Sequence, residues 1–338
     1  MEQVKTKASS DIQQQVLQLF NHLNERILGQ KGLISRLLVA LLADGHLLVE
    51  GAPGLAKTRA VKELSDGVEG EFHRVQFTPD LLPGDLTGTD VYRPEDGSFI
   101  FQKGPLFHNM VLADEINRAP AKVQSALLEA MAERQITIGG HTYPLPELFL
   151  VMATQNPIEQ EGTYPLPEAQ LDRFLMYVKI AYPDTKVEHD ILKLARREAM
   201  SCLMPEVKSD NNHQSSAPHL KQKDLFDARK QVLQVHVSEP LENYMVQLVV
   251  GTRNPLMYSE KLHGWLRYGA SPRATIALDR CSKAYAWLSG RDYVTPEDVH
   301  AVAHDVLRHR ILLTFEAEAD GVTSDVFIDE LLRLVALP

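Results

Sequence analysis

Residues Gly51–Thr58 are Gly-Ala-Pro-Gly-Leu-Ala-Lys-Thr, and this stretch decides the fold class of the chain. Leu47 to Glu50 precede it as a short, mostly apolar run that predicts a buried strand, and Thr58 to Leu64 predict the helix that follows. Small residues in such a loop let successive backbone N–H groups point at phosphate oxygens, and the helix start adds partial positive charge. The stretch therefore predicts a phosphate-binding loop for a nucleoside triphosphate, with ATP the first choice.

Two side chains give this loop its chemistry. We expect Lys57 to reach the outer phosphates as a mobile point charge and Thr58 to offer its hydroxyl to Mg²⁺. Ala56 stands where the usual pattern has its last glycine, and we expect it to take helical backbone angles, so that its main cost is a methyl group near the phosphates. The alternative is a glycine-rich turn followed by a chance Lys-Thr pair, which the strand–loop–helix context disfavours.

A carboxylate pair follows a second buried strand, in Met110-Val-Leu-Ala-Asp-Glu115. Ligands of α/β sheets bind at the carboxyl ends of the strands, which is where these two side chains are predicted to lie. We expect Asp114 to hold the magnesium shell through water, and Glu115 to polarise a water for attack on the γ-phosphate. Such pairs also occur in surface turns, so the interpretation depends on the phosphate-binding loop upstream.

Two further segments are candidates for the same chemistry. Asn156 ends Ala153-Thr-Gln-Asn156 after a predicted strand, where an amide can orient the attacking water or sense the γ-phosphate. An Asn before Pro is also an ordinary turn residue. Arg173 lies in Leu166–Phe174 and is either half of a surface ion pair with Asp172 or an arginine finger for a neighbouring subunit's nucleotide.

Arg273 occupies an unusual place at the start of a predicted helix. It lies in Gly269-Ala-Ser-Pro-Arg-Ala274, where Ser271 is a good cap and Pro272 a good first residue. A cation in a first helical turn opposes the helix dipole. Helix energetics do not explain Arg273, which favours a phosphate-directed role.

The periodicity of the whole chain predicts two domains. Alternating strands and helices over residues 1–183 indicate a three-layer α/β domain with a mainly parallel sheet, a loop-rich stretch at 78–105 and a hairpin at 135–143. Residues 184–338 are predicted to be helical, with a flexible loop at 205–219 and a small hairpin near the C-terminus. Among the predicted elements are helices Asp11–Phe20, Ile34–Ala43 and Pro120–Arg134, and strands His73–Phe77, Met110–Ala113, Leu148–Ala153 and Phe174–Ile180.

Composition excludes several classes of protein. The chain has 338 residues, 44% hydrophobic and 24% charged, with a net charge of −10 that argues against a dedicated duplex-DNA binder. Its two cysteines, Cys202 and Cys281, form neither a disulfide framework nor a zinc knuckle. Met1 to Asp11 lack the apolar core of a signal peptide, and no apolar stretch is long enough to span a bilayer. We therefore expect a soluble cytoplasmic protein.

Taken in order, these motifs resemble the Walker A, Walker B, sensor 1, arginine finger and sensor 2 elements of an AAA+ ATPase. More closely, the chain resembles the MoxR family over about Ile27 to Leu313. The Ala at position 56 agrees with this resemblance, since loops of that family often carry Ala there. The matching stretches are Ile27–Gln30, Gly45–Thr58, Ala113–Ala119, Leu166–Phe174 and Gly290–Val299.

The resemblance implies an AAA+ core followed by a smaller α-helical lid domain, and a ring, expected to be a hexamer, with ATP bound between subunits. It assigns residues 78–105 to a helix-2 insert and the 135–143 hairpin to the hairpin before sensor 1. It leaves open whether Arg273 acts on its own subunit's nucleotide or on a neighbour's. The predicted nucleotide-binding residues are Ile27, Leu28, Gly51, Ala52, Pro53, Gly54, Leu55, Ala56, Lys57, Thr58 and Arg59.

The resemblance also implies a function, namely chaperone-like remodelling of a protein substrate, often with a partner that contains a von Willebrand A domain. Three other classes stay open at this point. They are a nucleotide-gated assembly or regulatory protein, a small-molecule P-loop kinase, and a nucleic-acid motor, against which the acidic pI of about 5.7 counts. The sequence names no substrate and no pathway.

Overall fold

The computed structural model describes residues 2–157, 162–203 and 218–338. Most of the predicted loop at 205–219 therefore lies outside the described residues. The strands are β1 (Leu47–Glu50), β2 (Phe72–Gln76), β3 (Gly88–Arg93), β4 (Ser98–Lys103), β5 (Met110–Asp114), β6 (Gln135–Ile138), β7 (His141–Pro144), β8 (Leu150–Gln155), β9 (Met176–Lys179), β10 (Leu266–Tyr268) and β11 (Leu312–Leu313).

Helices lie between and after these strands. They are α1 (Glu2–Arg26), α2 (Lys31–Leu42), α3 (Lys57–Asp66), α4 (Pro83–Thr87), α5 (Ala121–Glu133), α6 (Glu168–Leu171), α7 (Thr185–Leu203), α8 (Gln222–Leu233), α9 (Glu239–Gly251), α10 (Glu260–Trp265), α11 (Pro272–Leu288), α12 (Pro296–Leu307), α13 (Phe315–Ala319) and α14 (Ser324–Leu334). Short 3₁₀ turns occur at Pro105–Phe107, Ile116–Arg118 and Pro255–Met257. Within the described residues, no helix is long and apolar enough to cross a bilayer.

A parallel sheet with the strand order β2-β5-β8-β1-β9 forms the centre of the α/β domain. Successive side chains of β1 enter different cores, because alternate residues of a strand face opposite sides of the sheet. Leu47 and Val49 pack with the core that contains α1, α2 and α3, whereas Leu48 packs with the core under α5. The predicted three-layer arrangement is confirmed.

The hairpin predicted at 135–143 is present, the loop-rich stretch at 78–105 also contains a hairpin, and the described residues show no local hairpin near the C-terminus. β3 pairs with β4 inside the predicted 78–105 insert, and β6 pairs with β7 across Gly139 and Gly140, both of which have positive φ. The small C-terminal sheet instead pairs β10 with β11, which are far apart in sequence. The prediction of a local hairpin was wrong because sequence periodicity does not detect pairing between distant strands.

The helices after residue 184 share a core with the α/β domain. The same apolar cluster that includes Leu47 of β1 continues through α2 to Leu225 of α8, Leu278 of α11 and Phe327 of α14. Arg308 Nη1 also donates to the carbonyl oxygen of Tyr177 in β9, at 2.6 Å. The boundary at 183 stays a prediction, and the two parts are in close contact across it.

A buried histidine at the start of β1 makes folding stability depend on pH. Burial, and secondarily the charge of Arg134, lower the pKa of His46 from 6.5 to about 4, and the ring accepts a hydrogen bond at Nδ1 from the N–H of Val151 at 3.0 Å. Since the folded pKa is depressed, this histidine's contribution is fully present above pH 6.5 and is lost as the pH falls toward 4.

We therefore expect the folded state to lose roughly 2 kcal/mol through His46 between pH 7.5 and pH 5. The His46→Asn variant is the matched control, because an amide oxygen can still accept from Val151 and does not titrate. Denaturant unfolding at both pH values should show the steeper loss in the wild type. Equal losses in the two proteins would contradict the assignment.

Candidate functional site

The predicted loop, carboxylate and amide residues meet at one edge of the sheet, whereas Arg173 and Arg273 lie elsewhere. Gly51 follows β1, Asp114 ends β5, and Asn156 follows β8, and these three strands are neighbours and parallel. Asp114 and Asn156 are both buried, with 8% and 7% of their surfaces exposed. The fold thus places the phosphate-binding loop, the carboxylate pair and the amide at the carboxyl ends of adjacent strands, where α/β proteins bind ligands.

The backbone of the loop requires small residues at its start and turn. A side chain at Gly51 would place Cβ 2.3 Å from Cγ1 of Ile180, and Gly54 has a φ of +83°. Ala56 also lies in the left-handed region, with φ 57° and ψ 20°. Our expectation of right-handed helical angles for Ala56 was therefore wrong, and its cost relative to glycine is a backbone cost of about 1 kcal/mol.

Lys57 begins α3 and lies near three carboxylates. Its Nζ donates to the carbonyl oxygen of Gly51 at 2.5 Å. Burial lowers the pKa of Lys57, and the charges of Asp114, Glu115 and Glu50 oppose that shift. The ammonium thus lies between the loop and the carboxylate pair.

Both carboxylate oxygens of Asp114 already accept hydrogen bonds. Thr154 Oγ1 donates to Oδ1 at 2.6 Å, while Arg74 of β2 donates to Oδ2 through Nη2 at 2.6 Å and through Nε at 3.1 Å. A carboxylate held in this way fits an outer-shell role, in which water lies between it and a cation, better than direct coordination. The hydroxyl of Thr58, in the first turn of α3, fits the preference of Mg²⁺ for oxygen ligands.

Glu115 is held in a strained backbone conformation by its neighbours. Its φ of 58° is in the left-handed region, and its N–H donates to Thr154 Oγ1 at 3.0 Å. Gln76 Nε2 and Arg118 Nη1 donate to Oε2 at 2.7 Å and 3.1 Å. The carboxylate is therefore oriented by residues of two other elements, β2 and the turn after β5.

The sequence did not identify Arg74, Gln76, Arg118 or Thr154 as site residues. The two β2 residues gave no signal, since the sheet order that places β2 beside β5 is known only from the fold. Thr154 did lie in a quoted motif, and its position two residues before Asn156 on a buried strand could have indicated it.

An apolar pocket of about 350 Å³ adjoins the loop. Ile27, Leu28, Pro53, Tyr182 and Ile191 are among its lining residues, so its size and surface suit a nucleobase. The predicted nucleotide-binding residues Ile27 and Leu28 thus lie beside the loop in space.

Arg59, the last of the predicted nucleotide-binding residues, also lines this apolar pocket. Its guanidinium pairs with Glu198 of α7 through two hydrogen bonds, of which the Nη1–Oε2 bond is 3.2 Å long. Arg59 therefore joins α3 to α7 at the side of the pocket.

Arg173 and Arg273 line a second cavity, of about 400 Å³, away from the phosphate-binding loop. Gly45 and His46, which precede β1, and Phe174 and Leu175, which precede β9, are also in its lining. The cavity thus lies at the amino ends of the strands whose carboxyl ends adjoin the loop. His46 and Gly51 are separated by about 16 Å along an extended strand, which is longer than an arginine side chain.

Five arginines line this cavity, and they differ in their partners. Arg310 pairs with Asp172 at 2.8 Å, and Arg134 pairs with Asp44 at 2.7 Å. The others are Arg173, Arg273 and Arg280.

Among the described residues, these three arginines have no carboxylate partner. Arg173 Nη1 donates to the neutral carbonyl of Leu128 at 2.8 Å. The side chains of Arg273 and Arg280 make no hydrogen bond or ion pair with any described residue. Arg280 follows Arg273 by two turns of α11, a spacing that could have indicated it from sequence. Three cations around one cavity, none of them paired with a described carboxylate, suit the binding of an anion.

Comparisons with known proteins agree with this geometry. The family described as "ATPase family associated with various cellular activities (AAA)" matches residues 46–176, and an AAA lid domain matches residues 262–331. Chaperone MoxR1 of Mycobacterium tuberculosis is 46% identical over 92% of this chain and 79% of its own. Protein MoxR of Paracoccus denitrificans is 34% identical over 86% and 87% of the two chains. A Cytophaga hutchinsonii chain known from a crystal structure superposes with a TM-score of 0.88 at 45% identity, over 99% of this chain and 98% of that one.

Proposed function

Since the chain belongs to the MoxR family of AAA+ ATPases, we propose that it binds and hydrolyses ATP with Mg²⁺ in a ring-shaped oligomer and uses the energy to remodel a partner protein. The main support for this proposal is that the two groups of predicted site residues lie apart within one chain. The loop and carboxylates lie at one edge of the sheet, and the unpaired arginines lie at the other. One chain therefore holds both halves of a site but does not bring them together.

At the loop edge, each residue has a separable role. Backbone N–H groups of the loop and the ammonium of Lys57 bind the phosphates. The carboxylate of Glu115, held by Gln76 and Arg118, accepts a proton from the attacking water and orients it toward the γ-phosphate. Asn156 fixes the position of that water from the next strand. The apolar pocket beside the loop binds the base and excludes solvent from it.

The magnesium ion belongs at the same edge. Thr58 would hold the ion through its hydroxyl, and Asp114, whose two oxygens already accept hydrogen bonds, would hold it through water. When bound, Mg²⁺ neutralises charge on the phosphate oxygens. The oxygen donors present are those that the ion prefers.

In the cavity at the amino ends of the strands, Arg173 and Arg273 act on the nucleotide of an adjacent copy. We infer that neither acts on the nucleotide of its own subunit, an inference supported by the length of β1 between the cavity and the loop. A contact between the cavity of one copy and the phosphate-binding loop of the next joins two different surfaces. Such a head-to-tail contact forms a ring when the rotation between neighbouring copies closes after a whole number of subunits. We accordingly propose that Arg273 acts on the neighbouring subunit, and a hexamer is the expected closed form.

The β3–β4 hairpin is the surface that we propose for protein contacts. Its exposed apolar side chains are Val91, Tyr92, Phe99 and Ile100, which are 44%, 53%, 68% and 39% exposed. The register pairs Val91 with Ile100 on one face of the hairpin and Tyr92 with Phe99 on the other, and exposed apolar side chains of this kind favour an interaction surface. A protein substrate, and a partner with a von Willebrand A domain, are the proposed occupants, and capture with an ATP-bound Glu115→Gln variant followed by mass spectrometry tests for them.

A dilution series tests whether the active site is formed by two copies of the chain. We expect Mg²⁺-dependent phosphate release per subunit to rise with protein concentration and to level off as the oligomer forms, because each site needs two copies. Lys57→Ala is the control for binding, and its affinity for a fluorescent ATP analogue should fall at least ~100-fold. Light scattering gives the oligomeric state in parallel. Equal turnover per subunit in a monomeric sample would rule out the proposal.

A further inference from the structure

Asp172 joins the two arginine-bearing segments that line the cavity. Its Oδ1 accepts from Arg310 Nε at 2.8 Å, and its Oδ2 accepts from Ser271 Oγ at 2.8 Å. Arg173 is the next residue after Asp172, and Arg273 lies two residues after Ser271. The carboxylate next to Arg173 in sequence therefore contacts both Arg310, after α12, and Ser271, at the start of α11.

Arg310, which pairs with Asp172, is buried and makes several further hydrogen bonds. The side chain of Arg310 is only 3% exposed, and its guanidinium also donates to the carbonyl oxygens of Phe174 at 2.7 Å and Leu175 at 3.2 Å. His309 Nε2 hydrogen-bonds to the same Phe174 oxygen at 3.2 Å. The segment that follows Arg173 is thus held by two adjacent side chains of the helical part. Burial lowers the pKa of Arg310, and the hydrogen bond and charge of Asp172 oppose that shift.

The contact with Ser271 fixes the other arginine. Ser271 is the N-cap of α11, and its Oγ accepts from the N–H of Arg273 at 3.2 Å. The same hydroxyl donates to Asp172. A single oxygen thus sets both the start of α11 and its distance from Asp172, so that a shift of either segment moves both arginines together.

We propose that Asp172 is a positioning residue for ATP hydrolysis, which through Arg310 and Ser271 holds Arg173 and Arg273 at a fixed spacing for the triphosphate of an adjacent copy. This inference rests on the proposed function, in which those arginines act between subunits. Asp172 itself touches no phosphate. Preorganised groups stabilise a transition state more than mobile ones, and a misplacement of about 1 Å can cost roughly 100-fold in rate.

Ser271→Ala tests the link without removing the Arg310 ion pair. We expect kcat to fall roughly 10- to 100-fold with little change in KM for ATP, because the variant's own loop and base pocket are intact. Ser259→Ala is the matched control, since Ser259 caps α10 with an equivalent 3.2 Å bond from Lys261 N and lies outside the cavity lining. Its melting temperature should fall as much as that of Ser271→Ala, with kcat unchanged. Wild-type kcat in both Ser271→Ala and a folded Asp172→Asn would overturn the proposal.

An experiment with mixed subunits distinguishes a positioning role of Asp172 between subunits from a general loss of activity in the variant. Asp172→Asn subunits have intact loops, and Lys57→Ala subunits have intact arginine cavities, so mixed oligomers should recover turnover that neither protein has alone. Arg173→Ala mixed with Lys57→Ala is the reference. If that reference recovers and the Asp172→Asn mixture does not, Asp172 acts within its own subunit and the positioning role is wrong. If the reference also fails, the shared site itself is wrong.

Discussion

Glu115→Gln should bind Mg²⁺–ATP like the wild type and hydrolyse it at least ~100-fold more slowly. The amide cannot accept a proton from water, yet it can keep a hydrogen bond from Gln76 or Arg118 and so preserve the shape of the site. Single-turnover phosphate release measures the chemical step, and titration with a fluorescent ATP analogue measures binding.

Glu242→Gln is the control for the same change of chemistry, because Glu242 is an exposed residue in the first turn of α9, away from both cavities. It should hydrolyse ATP at the wild-type rate. If Glu115→Gln does so as well, another group activates the water, and the role assigned to Glu115 is refuted.

Arg173→Ala should bind ATP normally and lose roughly 1,000-fold in hydrolysis. The change removes a half-buried cation that pairs with no carboxylate of the described residues, so its loss leaves none of those charges unpaired. It should therefore fold and assemble, and its defect should lie in kcat. Arg333→Ala, on the exposed face of α14 where Arg333 pairs with Glu330, is the matched control.

Loss of nucleotide binding in Arg173→Ala would place the arginine at its own subunit's nucleotide and contradict the division of the site. A monomeric Arg173→Ala protein would instead point to an assembly role. Light scattering of the ATP-bound variant separates that outcome from the expected one.

Buried strands ending in polar residues made the loop edge predictable. Gly51, Asp114 and Asn156 each follow an apolar run, and carboxyl ends of parallel strands share one edge, so their proximity follows from sequence. The hydrogen bonds that orient the carboxylates did not follow. Gln76 pairs in register with Asp114 only because β2 lies beside β5, and that order is set by the fold.

The left-handed backbone conformation of Ala56 is a second feature that could not be predicted from the sequence. Its side chain is compatible with a helix, so only the loop's three-dimensional path places it at a φ of 57°. The position of Arg273 has the same origin. Helix capping predicts that it begins α11, but its distance from its own loop depends on how α11 packs against α2 and α12, which local sequence does not encode.

A mixture of Lys57→Ala and Arg173→Ala subunits tests the shared site most directly. Each protein alone should be nearly inactive, one for want of bound ATP and the other for want of the arginine. On random mixing roughly a quarter of the interfaces should combine an intact loop with an intact Arg173, and hydrolysis should rise to about that fraction of the wild-type rate. A mixture that assembles but stays as inactive as its components would show that the loop and Arg173 of one chain act together. That result would contradict our proposal, which places Arg173 of one chain at the loop of another.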